Sequence, residues 1–344
     1  MKKKLIIAAV ILIPILGFVY NILNSTGFFK TIENQMNGKI VATLLIAGVE
    51  DMTVDEDDNF AIFISYDRAA ERDGKPNKNG IYFLDLNKNT LEPKLLSQKA
   101  LKPHGISLIQ LDSNHHKLFV INHDQGESIE VFDLYHRDSL VHEKTLKHEL
   151  IFSPNDIVAI SENKFYFTND RFYGSKIGIL IENYLGLAKC KTVYFDGKNY
   201  RSVNNDIAYA NGINYDKKRN RMYIASPRGF LIKVFERTEN GDLNYLESID
   251  CKTGVDNIEF DKDGNLWVGC HPNLLAFKAY QNKKKEIAPS EIIKISYDET
   301  AGYTVNSIYM NDGTTISTST VAAIYKNWML IGNVMDDHFI ILEQ

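Results

Sequence analysis

A six-bladed β-propeller is the fold this sequence predicts, and three observations carry the prediction. Apolar and polar residues alternate in short runs separated by Asp/Asn/Gly turns, while long amphipathic helical stretches are hard to find, so the chain reads as all-β. One phrase recurs along it: a polar residue, a short alternating strand, a polar turn, then a second apolar strand. The copies start at residues 50, 104, 155, 211, 256 and 320, so successive starts lie 45 to 64 residues apart, close to the period of propeller blades. At 344 residues the chain exceeds the size at which a single layered core stops growing, and a ring of blades escapes that limit because each blade packs only on its neighbours.

Taken in order, residues 1–24 begin with Lys2-Lys3-Lys4 and continue as a nearly unbroken apolar run from Leu5 to Tyr20. A basic start before such a run is an export signal. Phe18, Tyr20, Asn21, Ile22 and Leu23 offer no small-x-small cleavage site, and no lipobox cysteine is present, so the segment reads as an uncleaved hydrophobic signal-anchor helix. The three lysines hold the short end in the cytoplasm and place the rest outside, anchored to the membrane. Residues 25–38 read as a linker and residues 39–344 as the propeller. The three cysteines, Cys190, Cys251 and Cys270, form neither a disulfide framework nor a metal knuckle. The ring must therefore be fastened by strand pairing, between Lys39–Ile46 at the start and Phe339–Leu342 at the finish. The charged stretch 66–80 reads as a solvated connection, 171–189 as a short helix over the channel mouth, and 281–290 as an exposed loop.

The clearest copy of the phrase is GVDNIEFDKDGNLWVGCHPN at 254–273, in which Asp256 and Asn257 stand at the mouth of a hairpin strand. In a propeller the inner strands all begin at one end of the channel, so Glu50, His104, Asn155, Asn211, Asp256 and Asn257 meet there. A single Asn-Gly or Asp-Asn pair is an ordinary turn. Five at the same place in a repeat are better explained as oxygen ligands of a hard cation, and Ca²⁺ accepts mixed amide and carboxylate shells. One residue further along two of the same mouths, Asp51 and Asp156 suit a second, deeper ion. His104 stands at a mouth position and His123 ends the second strand of the same blade; beside a calcium they suit a base and its orienting partner. The role of His271 is open, while His115, His116, His136, His142, His148 and His338 read as surface. Cys270 reads as a buried core thiol. No GxSxG, HExxH, Walker A or GxGxxG motif occurs, and residues 55–59 form a turn and not an EF-hand loop. The net charge of −5 argues against nucleic acid.

The phrases PHGIS (103–107), INHD (121–124), KTLKHEL (144–150), NDIV (155–158), ANGI (210–213), VDN (255–257), LWVGCHPN (266–273), STVAAIY (319–325) and LIGNV (330–334) resemble the serum paraoxonase/arylesterase family, in order, from about Ala47 to the C-terminus. The resemblance implies a six-bladed propeller with two calcium ions that hydrolyses lactones and aryl esters. It implies a catalytic ion on Glu50, Asn155, Asn211, Asp256 and Asn257, and a structural ion on Asp51, Asp156 and the Ile106 carbonyl. It makes His104 and His123 a catalytic dyad and lines the pocket with Tyr209, Thr320 and Val334. Three departures stand out. No cysteine lies near Lys39 or Ile341/Leu342, where the family carries a disulfide; Arg171 follows Asp170 where the family tends to carry histidine; and Arg68 falls in a region that is apolar in relatives.

The sequence thus reads as a membrane-anchored, extracytoplasmic, calcium-dependent carboxylic ester hydrolase acting on a small lactone or ester. A sugar-lactonase propeller of the gluconolactonase type is the second reading, and a calcium-stabilised propeller that only binds is the third; binding alone gives no reason for the two histidines.

Overall fold

The computed structural model describes residues 2–97 and 99–344, the side chains of 2–9, 11 and 205 apart. Six antiparallel sheets follow one another along the chain, five of them with four strands and one with five. The inner strands are Met52–Asp55, Pro103–Asp112, Pro154–Ser161, Ile213–Asp216, Gly254–Phe260 and Ser319–Tyr325, each at the edge of its sheet. This is the six-bladed propeller that the repeat predicts. Its core is correspondingly divided into six clusters, each drawn from two adjacent blades. Val49, Phe63 and Leu84 of the first blade, for example, pack with Val321, Leu330 and Phe339 of the last.

The ring closes as the pattern suggests. Lys39–Leu44 pairs antiparallel with Phe339–Glu343, with Lys39 opposite Glu343 and Leu44 opposite Phe339, and becomes the outer strand of the sixth blade. Gln35–Met36 adds a fifth strand to the blade before it. Main-chain ladders from both ends of the chain therefore hold a ring that has no cysteine at the seam.

Among the described residues there are four helices: α1 (Lys2–Ser25), α2 (Arg68–Arg72), α3 (Lys176–Leu185) and α4 (Leu274–Gln281). The anchor expected over 1–24 falls in part on residues 1–9, whose side chains lie outside the described residues. Among the described residues no helix is long and apolar enough to cross a membrane. The last three helices sit in loops that leave the second strand of a blade, at the end where the inner strands begin. The helix expected in 171–189 is α3, capped by the Ser175 hydroxyl and ended by Gly186 at φ +62. The stretch 66–80 is more than a solvated connection: Asp67 accepts from Ala70 N–H and starts α2, which buries Ala70. The signal for α4 was Asn273, which accepts from Ala276 N–H and precedes a run of good helix formers.

His116 corrects the surface reading. It is buried between the first two blades, edge-on to Phe60, with Nε2 2.9 Å from Asp55 Oδ2. Burial of such a polar ring is tolerable because the carboxylate partners it. The three cysteines are free and buried.

Candidate active site and metal centre

The candidate ligands occupy the places where the strand ladder is interrupted. In the second, third and fifth blades the register slips between Pro103 and Ile106, between Pro154 and Ile157, and between Val255 and Ile258. The residues skipped are His104-Gly105, Asn155-Asp156 and Asp256-Asn257. A regular strand sends neighbours to opposite faces; a bulge breaks that rule and lets two consecutive side chains serve one end of the channel. In the first and fourth blades Glu50-Asp51 and Asn211-Gly212 lie just before the strand begins. Two glycines let adjacent blades close in here. A Cβ on Gly105 would run into Asp156, and one on Gly212 into the Asp256 carbonyl.

Glu50, Asn155, Asn211, Asp256 and Asn257 are all buried, between 2 and 6% exposed, at that end of the channel. Asn257 Nδ2 and Thr320 Oγ1 both donate to the Glu50 carbonyl, at 2.9 and 2.7 Å, and tie the first, fifth and sixth blades together. The Glu50 carboxylate meets His104 Nε2 at 2.8 Å and Arg68 Nη2 at 3.0 Å. Burial alone would raise its pKa, but the charges of His104 and Arg68 outweigh burial and hold it at about 2. Asp256 Oδ2 meets His271 Nε2 at 2.7 Å, and the His271 ring stacks on Phe277 of α4. Sequence reasoning left His271 without a role; it positions Asp256.

Three acceptors in this set have no partner. Asn155 Oδ1, Asn211 Oδ1 and Asp256 Oδ1 are buried and meet no donor among the described residues. An acceptor stripped of water and left unpaired costs about 1–3 kcal/mol, and three of them converging from adjacent blades fit a hard cation as their partner.

Below them a cavity of about 70 Å³ is lined by Asp51, Asp156, Ile106, Asn214 and Glu259. Asp51 accepts from the N–H groups of Met52 and Ile106, and Asp156 from those of Ile157 and Ile213. The carboxyl of Glu259, which the sequence did not single out, receives the Thr53 hydroxyl at 3.1 Å and no other donor among the described residues. Burial pushes all three acids well above the ordinary carboxyl range; Asp156 adds repulsion at Asp51, and Asp51 at Glu259. Two buried acids and a half-buried third that repel one another also fit a cation.

The two histidines form a line that leaves the channel. His104 Nδ1 lies 2.8 Å from His123 Nε2, and His123 Nδ1 meets Glu127. Two acids that only accept therefore flank two imidazoles. Three hydrogens bridge all three gaps and make the pair cationic; with two, one gap opens and the pair is neutral. Burial lowers the pKa of His123, against the pull of Glu127. Tyr209, at φ +60, lies beside Asp170, whose charge together with burial pushes its phenol well above the usual range. Val334 is buried just beyond the strand Trp328–Asn333.

The arylesterase family profile matches residues 72–340. Human serum paraoxonase/arylesterase 1 is 37% identical over 270 residues, 75% of this chain and 76% of that protein. The chain belongs to the arylesterase family. It is a carboxylic ester hydrolase. Mouse serum paraoxonase/lactonase 3 is 33% identical over 269 residues, 75% of each chain. Among solved structures, a putative gluconolactonase superposes with a TM-score of 0.54 over 92% of this chain and 95% of its own, at 11% identity. The calcium-binding protein regucalcin of Agrobacterium tumefaciens gives 0.53 over 89% and 93%, at 13% identity. These two likenesses concern the fold alone. Glu50, Asp51 and Arg68 precede the stretch matched by the arylesterase profile and rest on the geometry above.

Proposed function

We propose that this arylesterase-family chain is a calcium-dependent hydrolase of lactones and aryl esters that works outside the cytoplasm. The observation that carries the reading is the trio of buried, unpartnered oxygens on Asn155, Asn211 and Asp256 beside the His104–His123 pair. Those three residues, with Glu50 and Asn257, would hold the upper ion. Asp51, Asp156 and the Ile106 carbonyl would hold the lower one, with Glu259 as a further carboxylate. A bound calcium ion supplies a Lewis acid for the ester carbonyl and a counter-charge for the oxyanion of the transition state.

The chain's own groups do the rest. His104 Nε2 faces the channel and takes the proton of the attacking water when the pair is neutral. His123 holds the ring through Nδ1, and Glu127 steadies the cation that results. Glu50, ionised at all working pH values, is the second acceptor within reach. Tyr209, Thr320 and Val334 line the place for the acyl group.

A panel of simple lactones, sugar lactones and aryl esters tests the substrate class. Turnover of simple lactones and phenyl esters is expected, with sugar lactones poor. Sugar lactones alone as substrates would move the chain to the gluconolactonase type, and no turnover of any of them would leave a binding propeller.

The N-terminal segment is proposed to hold the enzyme at a membrane. Its end docks beside the channel mouth, where Thr26 carbonyl accepts from Leu274 N–H at 2.9 Å and Arg228 bridges Ser25 to Asn183 near the end of α3. Phe28, Phe29 and the α3 residues Ile177 and Leu180 are 50–75% exposed on that side. The full chain should pellet with lipid vesicles, and a chain beginning at Ser25 should stay largely in solution with its hydrolytic rate retained. Equal partitioning of the two chains would remove the segment as the anchor.

A further inference from the structure

Arg68 is a cation at the channel mouth whose contact with Glu50 uses only part of its guanidinium. It is the first residue of α2, placed there by the Asp67 cap, and its guanidinium lies over the Tyr66 ring at 4.5 Å. One nitrogen, Nη2, bonds Glu50 at 3.0 Å; the other, Nη1, is buried and meets no acceptor among the described residues. The side chain as a whole is partly buried, with 18% of its surface exposed. A guanidinium is a planar fork of five donors suited to a carboxylate, and a buried N–H without an acceptor is costly. The fork is thus half used.

The charge balance points the same way, on the reading that a dication sits on Glu50 and Asp256. Those two carboxylates balance the dication, so Arg68 shares Glu50 with the ion and has no carboxylate of its own. The surroundings do not supply the missing anion. Glu71, on the same helix, is taken by the Tyr66 hydroxyl and by Lys102 at 2.6 Å. On the other side of the mouth, Arg171 lies 3.7 Å from Asp170. Lys278 of α4 pairs with no carboxylate among the described residues, and burial and the Arg171 charge both lower its pKa. A mouth with a half-used guanidinium and a lysine without a counter-charge draws anions.

We propose that Arg68 is a specificity residue and that the substrates this site prefers are lactones or esters carrying a carboxylate group beside the scissile bond. The carboxylate takes the free side of the guanidinium while the ester carbonyl stays over Asn155, Asn211 and Asp256. The proposal deepens the hydrolase reading above and rests on it for the reaction, but not for the binding.

The test uses a γ-butyrolactone bearing a ring carboxylate and its matching carboxamide. In the native enzyme kcat/KM for the acid is expected to exceed that for the amide by about tenfold or more, the scale of one charge-assisted contact. In Arg68→Leu that ratio should collapse toward one, chiefly through KM, and Arg68→Lys should restore part of it. An acid-to-amide ratio near one in the native enzyme, or a ratio that survives Arg68→Leu, overturns the proposal. Calorimetry of the calcium-loaded protein with glutarate gives a second arm that needs no turnover: the native chain should bind it at least tenfold more tightly than Arg68→Leu. Equal binding overturns the proposal even if neither lactone is hydrolysed, and a difference supports it even if the hydrolase reading fails.

Discussion

Removing calcium is expected to lower the melting temperature by several degrees and to make the remaining stability fall as pH rises. Each ion that binds only the native state contributes about 2.7 kcal/mol at a hundredfold its Kd, and about 1 kcal/mol moves Tm by roughly 2–4 °C in a domain of 150–250 residues. The pH dependence follows from Asp51, Asp156 and Glu259, whose folded pKa values stand well above the ordinary ones. A raised carboxyl binds more protons folded than unfolded, so it stabilises the fold at low pH. That contribution is lost as pH climbs from the unfolded value of about 4 through the raised folded value. A dication in the chamber favours the ionised acids and removes the slope. Melting curves between about pH 5 and 8, with and without chelator, should therefore diverge with increasing pH. Calcium binding should also release protons, which calorimetry in buffers of different ionisation enthalpy detects. Parallel melting curves and no proton release would show that the three acids do not share a cation.

Separating the base from the metal is the second large effect. His104→Gln keeps a polar side chain but cannot take a proton near neutral pH. If His104 Nε2 is the base, turnover falls by roughly 10²- to 10⁴-fold, while calcium affinity and melting change little. Asp256→Ala removes one of two charged ligands and strands His271, so calcium affinity, stability and turnover should fall together. A His104→Gln enzyme that keeps most of its lactonase rate would transfer the proton to Glu50, whose ionised form Arg68 alone then favours against its burial.

Much of this centre is legible in the sequence because the repeat places the same residue type at the same point of each blade. Once the strands at 104, 155 and 256 are aligned, their mouths must meet, and the chemistry of amide and carboxylate oxygens follows. The closing strands were legible for a similar reason: alternating residues at both termini had to cover each other's edges. What alternation cannot convey is the bulge. Asp256 and Asn257 are neighbours, and a strict period of two would send one of them away from the channel; only the slipped register explains how both serve it. Glu259 was hidden by the same rule, since it is the polar position between Ile258 and Phe260 in an ordinary alternation and becomes a chamber wall only beside Asp51. His116 reads as surface in the sequence because its partner, Asp55, belongs to another blade. Arg68 looked like part of a charged loop, and only α2 brings it onto Glu50.

The most direct measurement is the rate of hydrolysis of an uncharged lactone by the full chain after exhaustive chelation and again after calcium alone is returned. The proposed centre predicts a fall of at least about a hundredfold, the scale of losing the main electrostatic stabiliser of an oxyanion, and recovery on adding calcium. A chelated protein that is folded, demonstrably free of calcium and still hydrolyses the lactone at its original rate would contradict it.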